Sequence, residues 1–239
     1  MREGRRAVPC GVHNGSRSSC EVGAEFGSLL WQKLRSDRTS LPRKTVPRNS
    51  HLYTSGGVCS AVYLVRRGWV KSCVPTAVGK VSLIDLHTRG DVIGVPAGGS
   101  ARHPDSAIAM SECSVEILGF DQLLLAIQRY GLLPAWTEFL LHRLCSQQEI
   151  ISNFITLDSE QRLAARLLMI TKRMARSEDA PVQLPSRLTH EEIAAMVGTT
   201  RSRVGQFLTN FERAGLIDRS DNTVTVVPAR LRRFLETAA

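Results

Sequence analysis

Four polar side chains set close together carry the clearest chemistry in this sequence: Arg201, Ser202, Arg203 and Gln206, within the stretch LTHEEIAAMVGTTRSRVGQFLTNFERAGLI from Leu188 to Ile217. Val204, Phe207, Leu208 and Phe211 recur at helical spacing, so the polar four fall on the opposite side of one helix, with Asn210. An arginine fork matches guanine O6/N7, and a glutamine amide matches adenine N6/N7. Such residues at the N-terminal end of a helix sit where a recognition helix meets base edges in the DNA major groove. Just upstream, Thr189 and Glu192 have the spacing of a capping box. Ile193, Ala194, Met196 and Val197 give the preceding helix its apolar side, Gly198 permits the turn, and Thr199 or Thr200 caps the second helix. Thr189 and His190, with the free N–H groups of the first helix, suit a phosphate. A helical hairpin with two solvated arginines is the ordinary alternative. The capping box and turn glycine together favour DNA.

The elements around this motif must hold it in place. After Ile217, DRSDNTVTVV reads as a two-stranded wing turning at Asp221-Asn222, and Pro228 ends it before a terminal helical turn or two, ARLRRFLETA. Before the motif, Asp158 is placed to cap SEQRLAARLLMITKRMA, whose Leu163, Ala164, Leu167, Leu168 and Ile170 form an apolar face. Ser177 to Arg187 reads as a loop with a short strand at Val182–Leu184. Further upstream a long helix is expected from about Pro134 to Phe154. In it Leu140, Leu144, Gln147, Ile151 and Phe154 alternate four and three apart, a heptad seam with one polar position. The other side carries Glu138, His142, Arg143, Gln148 and Glu149, which favours a dimer seam over a face buried within one chain.

Asp121 is the expected N-cap of LLLAIQRY. From Leu41 to Leu125 short apolar runs alternate with Gly, Pro, Asn and Ser, which predicts a sandwich, roll or barrel, with Arg66-Arg67-Gly68 as a hairpin turn. Phe26 to Leu34 predicts a short helix, and the Gly- and Ser-rich residues 1–25 predict a flexible tail.

Charge follows the same division. Residues 1–50 carry ten Lys/Arg against four Asp/Glu, residues 51–157 eight of each, and residues 158–239 thirteen against ten. The basic excess lies at the ends, as suits a polyanionic partner, and the neutral middle suits a sensor or interaction domain. No apolar run is long enough for a membrane span, and no secretory signal is visible, so a cytoplasmic setting is expected. The six cysteines (10, 20, 59, 73, 113 and 145) contain no C-x-x-C, and the Cys10/Cys20 spacing fits no common metal-ligand run.

These segments resemble the Crp/Fnr family of bacterial transcription regulators. NFITLDSEQRLAARLLMI, the helix-turn-helix and its wing carry the resemblance in the second half. HLYTSGGVCSAVYLVRRGWVKS, GKVSLIDLHTRGDVIGV and SECSVEILGFDQLL carry it more loosely in a cyclic-nucleotide-binding-type β-roll. The resemblance spans roughly residues 40–235. It implies an α+β chain that pairs through the long helix and grips a two-fold-symmetric operator. By position it places Arg201, Ser202 and Gln206 at base edges, and Arg203, Thr200 and Thr189 near phosphates. It puts an effector pocket at Gly94, Val95, Arg102 and Ser106. The cyclic-AMP-binding member has Arg-Glu-x-x-x-Arg where this chain has Arg201, Ser202 and Gln206, so a different operator is expected. Its pocket follows GD-x-x-G with Glu and later carries Arg-Ser; here Gly94 is followed by Val95-Pro96, and Asp105-Ser106 stands at the phosphate position. A cyclic nucleotide is therefore not the expected effector, although Arg102 leaves an altered anion site open. The cysteine triplet of an Fnr-type iron–sulfur cluster is absent.

The expected organisation is a basic tail and short helix (1–38), a jelly-roll-like β-roll sensor (39–132), a dimerisation helix (133–156) and a winged helix-turn-helix (157–239). The expected function is operator-specific transcription regulation by a homodimer. The expected partners are double-stranded DNA, a second copy and, for an activator, RNA polymerase, with no membrane and no resident cofactor or metal. Two alternatives stand beside it: a redox- or metal-responsive regulator using Cys10, Cys20 or Cys113, and a ligand- or partner-binding module without specific DNA recognition. No catalytic constellation supports an enzyme.

Overall fold

The computed structural model describes residues 19–76, 81–95, 102–172, 174, 177, 180–185, 188–220 and 223–237. Cys10, most of the predicted tail and the wing turn Asp221-Asn222 lie outside them.

The chain opens with helix α1 (Ser19–Ser36), longer than the Phe26–Leu34 piece expected and reaching back into the predicted tail. Phe26, Leu30 and Leu34 fall one helical turn apart and are buried. Burying each stabilises by about 1.5–3 kcal/mol, enough to hold the helix on the body.

Eight strands follow: β1 (Arg43–Val46), β2 (His51–Tyr53), β3 (Ala61–Arg67), β4 (Val70–Pro75), β5 (Val81–His87), β6 (Val92–Ile93), β7 (Ser106–Ala109) and β8 (Cys113–Gly119). They form two antiparallel sheets ordered β1-β8-β3-β6 and β2-β7-β4-β5, the face-to-face arrangement of a jelly roll. Val65, Val70, Ile93, Ala107, Ala109, Cys113 and Val115 fill the space between them. Arg66-Arg67-Gly68 does not close a hairpin. β3 pairs with β8 and β6, whereas β4 pairs with β5 and β7, so the chain switches sheets at this corner. Gly68 makes the corner possible: its φ is +91°, and a Cβ there would lie 2.5 Å from Glu112 O.

Helix α2 (Phe120–Arg129) starts one residue before the expected cap. Gly119 is the N-cap, its N–H donating to Gln122 Oε1 at 3.2 Å, and Asp121 sits inside the first turn. Helix α3 runs from Leu133 to Thr156 with Pro134 in its first turn, where the missing N–H costs nothing. Its buried residues Trp136 and Phe139 meet Phe26 of α1 in a cluster with ring centroids 5.1–5.4 Å apart. His142 and Arg143, expected on a solvated side, are half-buried against the body.

Helix α4 (Ser159–Lys172) begins where Asp158 caps it, Oδ1 accepting from the N–H groups of Glu160 (2.8 Å) and Gln161 (2.9 Å). Strand β9 (Val182–Gln183), helix α5 (His190–Val197), helix α6 (Arg201–Arg213), strands β10 (Ile217–Ser220) and β11 (Thr223–Val226), and helix α7 (Pro228–Thr237) complete the chain. The wing is three-stranded, ordered β10-β11-β9. The second half shares one apolar core with the outer face of the β4–β5 sheet, where Cys73, Leu83 and Leu86 join Ile193, Met196 and Val197.

Candidate nucleic-acid interface

The first helix of the motif is fixed by its own ends. The Thr189 hydroxyl accepts from Glu192 N (3.1 Å) and lies 3.0 Å from Glu192 Oε2, and that carboxylate accepts from Thr189 N (2.9 Å). The hydroxyl is thus used within the cap, and what α5 offers a phosphate is its N-terminal backbone. Gly198 ends the helix in the left-handed region at φ +68°, and a Cβ there would lie 2.8 Å from Phe154 Cε1 at the end of α3. Thr200, not Thr199, caps α6, accepting from Arg203 N at 3.3 Å.

Helix α6 buries Val204, Phe207, Leu208 and Phe211. Arg201, Ser202, Arg203 and Gln206 are all exposed along its outer side. The Arg203 guanidinium lies 5.6 Å from the Phe207 ring. His190, at the start of α5, is held below the usual imidazole range by burial and by the nearby cations Arg219 and Arg201. Arg219 of the wing strand and Arg201 at the start of α6 thus lie close enough to the start of α5 to act on His190. That grouping suits a phosphodiester backbone.

Arg162, Lys71 and Arg166 help tie this half to the rest. Arg162 donates to Val197 O (2.9 Å) and Leu157 O (2.7 Å) and lies over the Phe154 ring. Lys71 Nζ, on β4, donates to Glu192 Oε1 at 2.5 Å. Burial raises the Glu192 carboxyl, but Lys71 and the Thr189 donors outweigh this and hold it below its ordinary range. Arg166 donates to Ile84 O, covering a carbonyl of the edge strand β5, and stands 3.6 Å from Asp85. None of these long-range partners could be read from local sequence.

Along α3, Leu140, Leu144, Gln147, Ile151 and Phe154 are exposed, but the uncovered apolar face also includes Leu141 and Ile155, which the four-and-three pattern leaves out. Leu144 is 52% exposed and Ile155 79%, values that mark this stripe as a surface in want of a cover. Phe154 is drawn partly toward Gly198.

The predicted effector residues do not gather round a free cation. Gly94 is buried, with its carbonyl accepting from the Cys59 thiol (3.2 Å). Arg102 Nη1 donates to Gly56 O (2.6 Å), and Ser106 Oγ accepts from Ser55 N (2.9 Å). Tyr53 stacks on His103 at 3.9 Å and lies 5.5 Å from Tyr63. Burial, then Asp105, pushes the Tyr53 hydroxyl up. Asp105, next to Ser106 and near Tyr53 and His103, adds a carboxylate to this region, which counts against a cyclic phosphate there. A cavity of about 350 Å³ opens instead between the β4–β5 edge, α3 and the start of the DNA-binding half. Its lining includes Asp105, His87, His142, Arg143 and Arg166, and none of Gly94, Val95, Arg102 or Ser106. Cys113 is fully buried, its thiol within reach of Trp69 O and Ser111 O and pushed up by burial. Among the described residues no three His, Cys, Asp or Glu side chains converge as a metal site, and no helix is long and apolar enough to cross a membrane.

Comparison with known proteins agrees with this geometry. Residues 43–130 match the family model of the cyclic nucleotide-binding domain, and residues 161–234 that of the Crp-like helix-turn-helix domain. The chain belongs to the Crp/Fnr family of transcriptional regulators. It is 25% identical over 227 residues to the transcriptional regulatory protein btr of Bordetella pertussis, covering 93% of this chain and 94% of that one. It is 24% identical over 188 residues to the fumarate and nitrate reduction regulatory protein of Escherichia coli K12, covering 77% and 74%. Among solved structures it resembles FixK2 from Bradyrhizobium japonicum (TM-score 0.69, 20% identity, 81% and 96% covered). It also resembles a CooA mutant from Carboxydothermus hydrogenoformans (TM-score 0.66, 21% identity, 86% and 95% covered). This Crp/Fnr chain is thus a DNA-binding transcription regulator with a cyclic-nucleotide-binding-like β-roll.

Proposed function

We propose that this regulator works as a homodimer on a two-fold-symmetric operator, one α6 entering each of two successive major grooves. The observation that carries the reading is the pair of uncovered faces: a polar one on α6 and an apolar one along α3. A second copy packed on Leu140, Leu144, Ile151 and their neighbours would remove the apolar stripe from water and fix the spacing of the two recognition helices. Arg201, Ser202 and Gln206 are the base readers. Arg203, Thr200, His190 and the N-terminus of α5 at Thr189 hold phosphates.

The effector we propose is not cyclic AMP. It occupies the cavity between the β-roll, α3 and α4, where one small molecule would touch sensor and DNA-binding half at once. Asp105 supports the first point, because it stands where the resemblance puts the arginine that holds a cyclic phosphate, and it also lines this cavity. RNA polymerase is the further partner we propose for the case of activation.

Selection of bound duplexes from random DNA tests this reading. The expected product is an inverted repeat with half-site centres about one helical turn, roughly 10 base pairs, apart. A single asymmetric site, or no enrichment over random duplex at moderate salt, would contradict it.

A further inference from the structure

We propose that Glu160, on α4, is a positioning residue for base reading: acting through Asn210, it decides which edge of the Gln206 amide faces the DNA. This rests on the reading of Gln206 as a base reader. Asn210 Nδ2 donates to Glu160 Oε1 at 3.0 Å, and Gln206 Nε2 donates to Asn210 Oδ1 at 3.0 Å. Gln206 and Asn210 are one turn apart on α6, and Glu160 reaches them from the first turn of α4. Gln206 is exposed, while Asn210 and Glu160 are half-buried, so the relay runs from the groove-facing surface into the domain.

The direction of the relay follows from chemistry. A carboxylate only accepts, so Asn210 must turn its amide nitrogen toward Glu160. Its oxygen then faces Gln206, which must answer with Nε2. An exposed glutamine amide otherwise turns over at little cost and offers either edge. Here one N–H is committed, and Oε1 with the remaining N–H is left for the groove. That edge fits adenine, whose N6 amine donates to Oε1 and whose N7 accepts the N–H. Guanine and thymine present O6 or O4 where Oε1 would lie, and two acceptors repel.

The test is competition binding with single-base-pair variants of the selected operator, using the full chain and the variants Gln206→Ala, Asn210→Ala, Glu160→Ala and Glu160→Gln, each checked for an unchanged urea midpoint. Gln206→Ala should erase a preference for adenine of roughly tenfold at one base pair of each half-site. Asn210→Ala and Glu160→Ala should reduce the same preference about threefold or more, with the preference at the Arg201 base pair and the salt dependence unchanged. Glu160→Gln can donate as well as accept, so it should admit guanine or thymine at that position. If Gln206→Ala erases the preference but Asn210→Ala and Glu160→Ala leave it intact, or weaken all sequences alike, the relay is overturned. If Gln206→Ala leaves every preference intact, the base-reading assignment itself fails.

Discussion

Helices α6 and α3 each present a face that the rest of the chain leaves uncovered, and the two faces are chemically opposite. On α6 the uncovered side chains are Arg201, Ser202, Arg203 and Gln206; on α3 they are Leu140, Leu141, Leu144, Ile151 and Ile155. Water solvates the first set well, so α6 needs no partner to be stable. On the proposed function it draws a polyanion by charge and selects it by hydrogen-bond pattern. The second set is poorly solvated, and a cover of similar chemistry relieves it. On the function proposed above, the first surface serves an exchangeable partner and the second a durable one.

The sharpest way to break this contrast is to put charge on the apolar face. Leu144→Lys combined with Ile151→Lys should yield monomers and weaken operator binding by at least about 100-fold, because two linked half-sites bind far more tightly than one. Gel-shift titration on whole and half operators would show it, since half-site affinity should not change. Changes to the polar face are smaller and should divide by residue. Arg201→Ala should cost about 1–3 kcal/mol of discrimination at one base pair of each half-site. Arg203→Ala should instead weaken all duplexes together and lower the salt slope by about one per half-site.

Two further variants probe what holds the faces in place. Gly198→Ala forces a side chain into a left-handed backbone against Phe154, and should lower the unfolding free energy by about 1–2 kcal/mol in urea titrations. Lys71→Met removes the cation on Glu192 and should cost about 1 kcal/mol. Because the Glu192 carboxyl is held below its ordinary range, its contribution is complete above the unfolded value and fades as pH falls through the lowered one. Lys71→Met should therefore cost less stability in acid than at neutral pH, a difference that melting curves at two pH values would register.

What could be read from sequence follows the range of the interactions. Thr189 with Glu192, Gly198 and Thr200 act within a few residues, so the motif and its outward side chains were legible. The uncovered face of α3 was only partly so. Which side of that helix meets the body depends on Phe26 and on Arg143 meeting Val92 O, partners distant in sequence, and Leu141 and Ile155 were missed for that reason. Arg66-Arg67-Gly68 gave a true turn signal, but a hairpin and a sheet-switching corner share it. The cavity escaped sequence reasoning because α3, α4 and α5 reach it only in three dimensions. Glu160 escaped because nothing local links it to Gln206.

The central claim is that two chains, joined along α3, place two copies of α6 on one operator. Sedimentation of the chain with its selected duplex tests this most directly, by counting chains per duplex. Native chains are expected to load the whole operator two at a time, whereas the Leu144→Lys, Ile151→Lys variant should load it one at a time, through a complex of one chain per duplex. A native chain that saturates the whole operator as a monomer, or a double variant that still binds as a pair, would contradict it.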